Sequence, residues 1–459
     1  MVPDSSHYWL KNAQVPLALL SQGARAIAPP PNLESLVLLD VEIQSGWITQ
    51  VVPAAAVETG PIPFVDLQHR QIWPCFVDMH THLDKGHIWQ RSPNPDGTFQ
   101  SAIATVQQDI ETYWDSADLY QRMEFGLKCS YVHGTKALRT HLDSPERIGE
   151  LNWDVFKTLQ EEWGDRLMLQ AVSLVTLDYY LTPAGEKLAD RVAELGGVLG
   201  GVAYMNPNLD SQLEHLLQLA QDRGLALDLH TDETGDPDSK TLHQVAQKAI
   251  QAQFPHQITC GHCCSLALQS PEFVHETLAL VKEAGIGIVS LPTCNLYLQD
   301  RQLVQNSKSD PKLDPRPDSQ KPSLQPYSRT PRWRGITLIH ELRNCEIPVA
   351  IASDNCRDPF YSFGDHDGLE TFIMAVRIAH LDQPYGDWPE LITQVPAQLM
   401  GLHGVGQIGA QVPADLIIFE GRSFSELLSR PCASRTVIRD GSMVTGSLPS
   451  YTELDNLRD

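Results

Sequence analysis

Phe76-Val77-Asp78-Met79-His80-Thr81-His82 is an apolar run that ends in two histidines, and the chain repeats this plan along most of its length. A short apolar run, a polar residue and a helical stretch follow one another again and again. Run 135–138 ends in Arg139-Thr140-His141, run 167–172 near Ser173, and run 201–204 at Met205-Asn206-Pro207. Run 225–229 ends in His230, run 257–260 in Gly261-His262, run 286–291 in Pro292-Thr293, and run 347–352 in Ser353-Asp354. Together with 76–79 these are eight candidate strands. Between them, residues 209–223 and 272–284 carry apolar side chains at helical spacing. Strands alternating with helices predict parallel pairing. Eight such units predict an α/β chain closed into a (β/α)8 TIM-type barrel, with the polar residues at the C-terminal strand ends, where such barrels carry their chemistry.

A barrel of this kind takes about 250 residues and grows with insertions; the chain has 459. The barrel is expected over 70–405. The flanks read differently. Residues 1–69 hold short β-like runs (36–43 and 47–52) broken by Pro and Gly, and residues 406–459 resume that style at 414–419 and 435–441. The two ends are therefore expected to build one small β-sandwich domain. Residues 300–331 are rich in Pro, Ser, Asp, Lys and Gln and lack apolar periodicity. They read either as a disordered surface insertion or as a mobile lid after strand seven.

Apolar residues make up 42% of the chain, enough for a large core. The net charge of −23 (34 basic against 57 acidic residues) argues against a general nucleic-acid binder and against adhesion to anionic membranes. Nine scattered cysteines do not form a secreted disulfide framework. The apolar stretch 15–20 contains Pro16 and lacks a basic leader, so no signal peptide is expected, and no run approaches a membrane span. A reducing cytoplasm is the default. Self-association is left open.

Residues i and i+2 at a strand end project to the same side, so His80 and His82 converge on one point, as a metal ion requires. A lone His-x-His says little. Here His230, His262 and Asp354 close other strands at the same rim, and Glu233 follows in His230-Thr231-Asp232-Glu233. Three histidines and one carboxylate suit Zn²⁺ or Fe²⁺. Such an ion lowers the pKa of a bound water from about 15.7 towards neutrality. A carboxylate that does not bind metal must then carry protons, and Glu233 is the candidate. His262 either polarises the substrate or steadies the attacking oxygen; as alternatives it is a further ligand or a core histidine.

Five stretches together resemble the amidohydrolase superfamily, and within it the cytosine deaminase-like branch. They are Pro74-Cys75-Phe76-Val77-Asp78-Met79-His80-Thr81-His82-Leu83-Asp84-Lys85, Asp228-Leu229-His230-Thr231-Asp232-Glu233, Asn295-Leu296-Tyr297-Leu298-Gln299, Arg334-Gly335-Ile336, and Ser353-Asp354-Asn355-Cys356-Arg357-Asp358-Pro359-Phe360. The resemblance implies one metal held by His80, His82, His230 and Asp354, with Glu233 as proton shuttle, His262 beside the attacking oxygen, and Asp354 part of the catalytic group. It also marks departures. Asn355 stands where cytosine deaminases carry a second Asp, Phe360 stands for a Trp and can still stack on a planar ring, and a substrate-binding Gln is replaced near Thr176. Lys85 makes the first stretch look like the N-isopropylammelide amidohydrolases of the same branch. It either sets a charge near a ring oxygen or is a solvated rim lysine.

Other signals are set aside. Cys260-x-x-Cys263 lacks a second pair for a zinc knuckle, and 196–201 lacks the Gly-Lys-Ser/Thr ending of a phosphate loop. Residues 201–207 contain no Lys to bridge two ions, which favours one metal. The expected activity is hydrolysis of a C–N bond in a cyclic amidine, a pyrimidine or triazine type of small heterocycle. The alternatives are ring-opening hydrolysis of a cyclic amide and a barrel scaffold without catalysis.

Overall fold

The structure is a computed structural model that describes residues 3–56, 60–301, 303–304, 327–430 and 434–457. Most of the Pro-rich segment expected as a lid or insertion, residues 305–326, lies outside the described residues.

The barrel strands are β1 (Phe76–Thr81), β2 (Thr135–Asp143), β3 (Met168–Leu174), β4 (Leu199–Ala203), β5 (Leu227–Thr231), β6 (Ile258–His262), β7 (Gly287–Ser290) and β8 (Val349–Ile351). Each pairs in parallel with its neighbour from β1 to β3 and from β4 to β8. Parallel bridges Val172–Val198 and Thr176–Val202 join β3 to β4, and Thr81–Asp354 joins the end of β8 back to β1. The strand order thus returns to its start, as a (β/α)8 barrel requires. β1 and β5 are buried at every position, as strands covered on both faces must be. Inside the ring, Val77, Met79, Ala137, Val289, Ala350 and Ala352 pack as one apolar plug.

The helix expected at 209–223 spans Leu209–Arg223 and buries Leu213, Leu216, Leu217 and Ala220. Gly224 ends it in the left-handed conformation (φ 66°), which glycine adopts without steric cost. The helix expected at 272–284 spans Pro271–Glu283; Ser270 accepts from Phe273 N, and proline takes its first position, where no amide donor is needed. Strand four begins at Leu199, ahead of the expected 201–204, because Gly196–Gly201 is partly strand rather than all turn. A Cβ at Gly200 would lie 2.3 Å from Val172 Cγ1 and 2.4 Å from Asp228 O, so the neighbouring strands leave room only for glycine.

The chain ends pair with each other. One sheet runs, in order, Val412–Pro413, Trp47–Pro53, Leu36–Gln44, His7–Pro16 and Phe64–Asp66; a second runs Ser442–Met443, Arg435–Arg439, Leu416–Phe419 and Ile72–Pro74. Tyr8, Leu10, Val15, Val37, Ile43 and Ile438 share one core between them. The apolar stretch at 15–20 is thereby accounted for as the end of a buried strand and the turn after it. No described helix is long and apolar enough to cross a membrane.

Candidate active site

β1 delivers His80 and presents His82 just beyond its end, both buried. β5 delivers His230 beside Gly261 of β6, where a Cβ would sit 3.0 Å from His80 Cε1; the missing side chain leaves room for the His80 ring. Asp354 follows β8, and its amide donates to His80 O at 2.9 Å, which docks the carboxylate against β1. Asp78 anchors the same junction by accepting from Ser353 N (3.0 Å) and Ser353 Oγ (2.5 Å).

The donor atoms meet. His80 Nε2 lies 3.2 Å from His230 Nε2, His230 Nε2 lies 3.4 Å from His82 Nε2, His82 Nε2 lies 3.3 Å from Asp354 Oδ1, and His80 Nε2 lies 3.8 Å from that oxygen. A tetrahedron with metal–nitrogen distances near 2.0–2.1 Å has edges of about 3.3 Å, so three of these four separations are on the scale that one Zn²⁺-sized ion requires and the fourth is longer. The electrostatics agree. Burial, reinforced by the neighbouring imidazoles, holds His80 and His230 well below the usual histidine range, in the neutral form that binds metal. Burial works against the charge on Asp354, but the His82 hydrogen bond and the charge of His262 hold its carboxyl below the ordinary value.

Glu233 lies three residues beyond His230. Its neighbour Asp232 is not available for chemistry, since it accepts from Ser239 Oγ, Thr241 N, Thr241 Oγ1 and Leu242 N and so caps the helix Thr241–Gln251. The Glu233 carboxyl lies 3.5 Å from His262 Nδ1. Burial first, and the negative charge of Asp354 second, raise it well above the usual carboxylate range. His262 Nδ1 pairs with Asn295 Oδ1 at 3.0 Å, which leaves Nε2 as the ring nitrogen without a partner. The ring falls with His80 and Asp354 in a group whose donor atoms lie within 4.8 Å of one another. Both His262 and Asp354 hold the left-handed backbone conformation (φ 67° each), uncommon outside glycine.

His82, His230, Glu233, His262 and Asp354 face a cavity of about 380 Å³ that also reaches Lys85, Thr176, Asn355 and Phe360, with His80 behind it against His230. Their surroundings remove one of the two readings of Lys85. Lys85 is not a solvated rim lysine: it is buried and paired with Asp143 (2.8 Å) and Asp84 (3.6 Å). Asn355 donates Nδ2 to Asp358 at 2.7 Å, and Phe360 meets Phe99 edge-on at 5.7 Å.

Two features escaped the sequence. His141, at the end of β2, is fully buried with its ring 3.9 Å from that of His80, and neither nitrogen has a hydrogen-bond partner; its closest carboxylate oxygen, Asp228 Oδ1, is 3.9 Å away. It joins His80 and His230 in a second close group of donors. Its place after a strand, like that of His230, was the available signal. The helix Phe99–Tyr113 also went unassigned, and its Phe99, Ile103, Val106 and Ile110 wall the cavity.

The chain's similarities point the same way. Residues 153–445 match the family model described as "Amidohydrolase family". A pterin deaminase of Rhizobium rhizogenes is 43% identical over 458 residues, covering 99% of this chain and 98% of the relative. An N-isopropylammelide isopropyl amidohydrolase of a Pseudomonas is 21% identical, covering 83% of this chain and 87% of that one. The crystal structure of 5-methylcytosine deaminase from Klebsiella pneumoniae, liganded with 5-fluorocytosine, superposes with a TM-score of 0.76 at 25% identity, covering 96% of this chain and 98% of that one. With more than half of the chain matched by the family model, and one relative this similar from end to end, the chain belongs to the amidohydrolase family.

Proposed function

We propose that this chain is a metal-dependent deaminase that hydrolyses the exocyclic C–N bond of a cyclic amidine, with a pterin as the leading substrate. The observation that carries this reading is the convergence of three imidazoles and the Asp354 carboxylate, with the Glu233 carboxyl close by at 3.5 Å from His262 Nδ1. The similarity to a pterin deaminase along the whole chain supports the substrate class. The amino group of a pterin sits on a pyrimidine ring, the ring type expected from the sequence, and the second fused ring lengthens the molecule. The apolar wall formed by Phe99, Ile103, Val106 and Ile110 suits a long planar substrate.

His80, His82, His230 and Asp354 would hold one divalent ion, Zn²⁺ or Fe²⁺. Such an ion supplies Lewis-acid activation of a water molecule. The remaining work falls to the chain. Glu233 takes the two protons of the attacking water in turn at its carboxylate oxygen, passing the first to the ring nitrogen and the second to the amino group, so that the C–N bond breaks, ammonia leaves and the ring gains an oxo group. His262, held by Asn295 through Nδ1, turns Nε2 toward the incoming oxygen. Phe360 stacks on the ring, Asn355 and Thr176 offer polar contacts, and the Lys85–Asp143 pair sets a polar end to an otherwise apolar cavity. The described cysteines are all free thiols, which suits the reducing cytoplasm expected from the sequence.

The test is an ammonia-release screen over pterin, cytosine, 5-methylcytosine and N-isopropylammelide, with metal content measured on the same sample. Turnover of pterin above the single-ring compounds supports the reading. A metal-loaded sample that releases ammonia or amine from none of them overturns it.

A further inference from the structure

On the far side of the loop that carries Asp354, three more donors converge. His87 lies in the loop after β1, and Cys356 and His366 lie in the loop after β8. One donor atom from each falls within 4.8 Å of the other two. Cys356 and His366 are buried and His87 is partly so. His87 Nε2 lies 3.3 Å from His366 Nε2, the same separation as the 3.2 and 3.4 Å found among His80, His230 and His82. That distance lies within the reach of an imidazole–imidazole hydrogen bond, which the pair makes when no ion is bound. It equals the edge of about 3.3 Å expected between two imidazoles on one tetrahedral zinc. The Nδ1 atoms of both rings have no hydrogen-bond partner, as is also true of His80, His82 and His230.

The backbone around the cluster is specialised. His87 (φ 68°) and His366 (φ 54°) both hold the left-handed conformation, as Asp354 and His262 do in the first site. Gly126 clears the space beside them: a Cβ there would stand 3.0 Å from His366 Nε2 and 2.8 Å from Leu83 Cδ2. His87 N donates to Cys356 O at 3.1 Å, so the two loops already touch through the backbone.

We propose that His87, Cys356 and His366 form a second metal site, apart from the donors proposed for the catalytic ion, for a divalent ion of the zinc class. Two imidazoles and a thiolate are the mixed nitrogen–sulfur set that zinc prefers, and the fourth position falls to solvent. Binding releases the Cys356 thiol proton to solvent. The ion would tie the loop carrying His82 to the loop carrying Asp354, and so hold two of the catalytic donors in register.

The test uses sulfur as a reporter, because none of the four donors proposed for the catalytic ion is a thiolate. The full-length protein is prepared with Zn²⁺, and separately with Co²⁺, then desalted and analysed for metal content and near-ultraviolet absorption. The expected result is about two equivalents per chain, with a thiolate-to-cobalt charge-transfer band. Both Cys356→Ser and His366→Ala are expected to fall to about one equivalent and to lose that band. A wild-type protein with one equivalent and no thiolate band overturns the proposal without recourse to any variant. Cys294 Sγ lies 3.7 Å from Asn355 Oδ1, near the first site. A band that disappears in Cys294→Ser but persists in Cys356→Ser would therefore place the sulfur at the catalytic centre and also overturn it. Neither outcome depends on which heterocycle is the substrate.

Discussion

Replacing Glu233 by Gln separates proton transfer from everything else at the site. The amide has the volume of the carboxyl and sits equally well 3.5 Å from His262 Nδ1, while the nearest metal donors keep their own contacts to one another. What is lost is the group that takes and returns a proton. General acid–base groups supply roughly 10²–10⁴-fold, which corresponds to about 2.7–5.4 kcal/mol of barrier. The loss should fall on kcat, with KM little changed, since Glu233 is not assigned to binding. The pH profile adds a second reading. Burial and the charge of Asp354 raise the Glu233 carboxyl well above its ordinary value, and its first task requires the carboxylate. Wild-type kcat/KM should therefore fall as pH drops through that raised pKa, and the variant should lack this acidic limb. The assay is steady-state ammonia release across pH, with metal content measured on both proteins. A variant that holds its metal yet turns over within about tenfold of wild type would remove Glu233 from proton transfer and with it the mechanism above.

Three further outcomes are expected. Asn295→Ala frees the His262 ring that it now holds at 3.0 Å, and should cost about 10–100-fold in kcat with metal content unchanged, as loss of an orienting partner typically does. Unchanged kcat would show that packing alone orients the ring. Arg139→Met leaves the buried Asp228 carboxylate without the guanidinium 2.8 Å away, and should destabilise the fold by roughly 3–5 kcal/mol in denaturant unfolding; a change below about 1 kcal/mol would mean that Asp228 is already protonated. Burial raises Asp358 to about 6, above its unfolded value of 3.8, so its contribution to stability is present below pH 3.8 and is lost as pH rises through about 6. Melting temperatures of wild type and Asp358→Asn, compared over that window, should show the wild type losing stability relative to the variant as pH rises; parallel curves would sink this assignment.

Much of the barrel was legible because buried parallel strands are continuous apolar runs, and because His230, His262 and Asp354 each close such a run. Boundaries were less legible. β4 begins at Leu199 inside the glycine-rich stretch 196–201, ahead of the expected 201–204, and only the approach of Val172 and the Asp228 carbonyl explains the glycine at 200. The strand His7–Pro16 was missed because its alternation is weak, and its partners, Leu36–Gln44 and Phe64–Asp66, come later in the chain.

The sequence by itself determined the number of strand–helix units and the side of the barrel on which the polar residues gather, which follow from local periodicity, while the candidate metal donors came from side-chain chemistry together with the family resemblance. Only the tertiary structure decided what surrounds those donors. It buried Lys85 against Asp143, set His141 against His80, laid the helix Phe99–Tyr113 over the cavity, and brought His87 to Cys356 and His366. Each of these is a meeting of residues distant in the chain, settled by how strands and loops pack around the ring, and a local pattern carries no record of such distances.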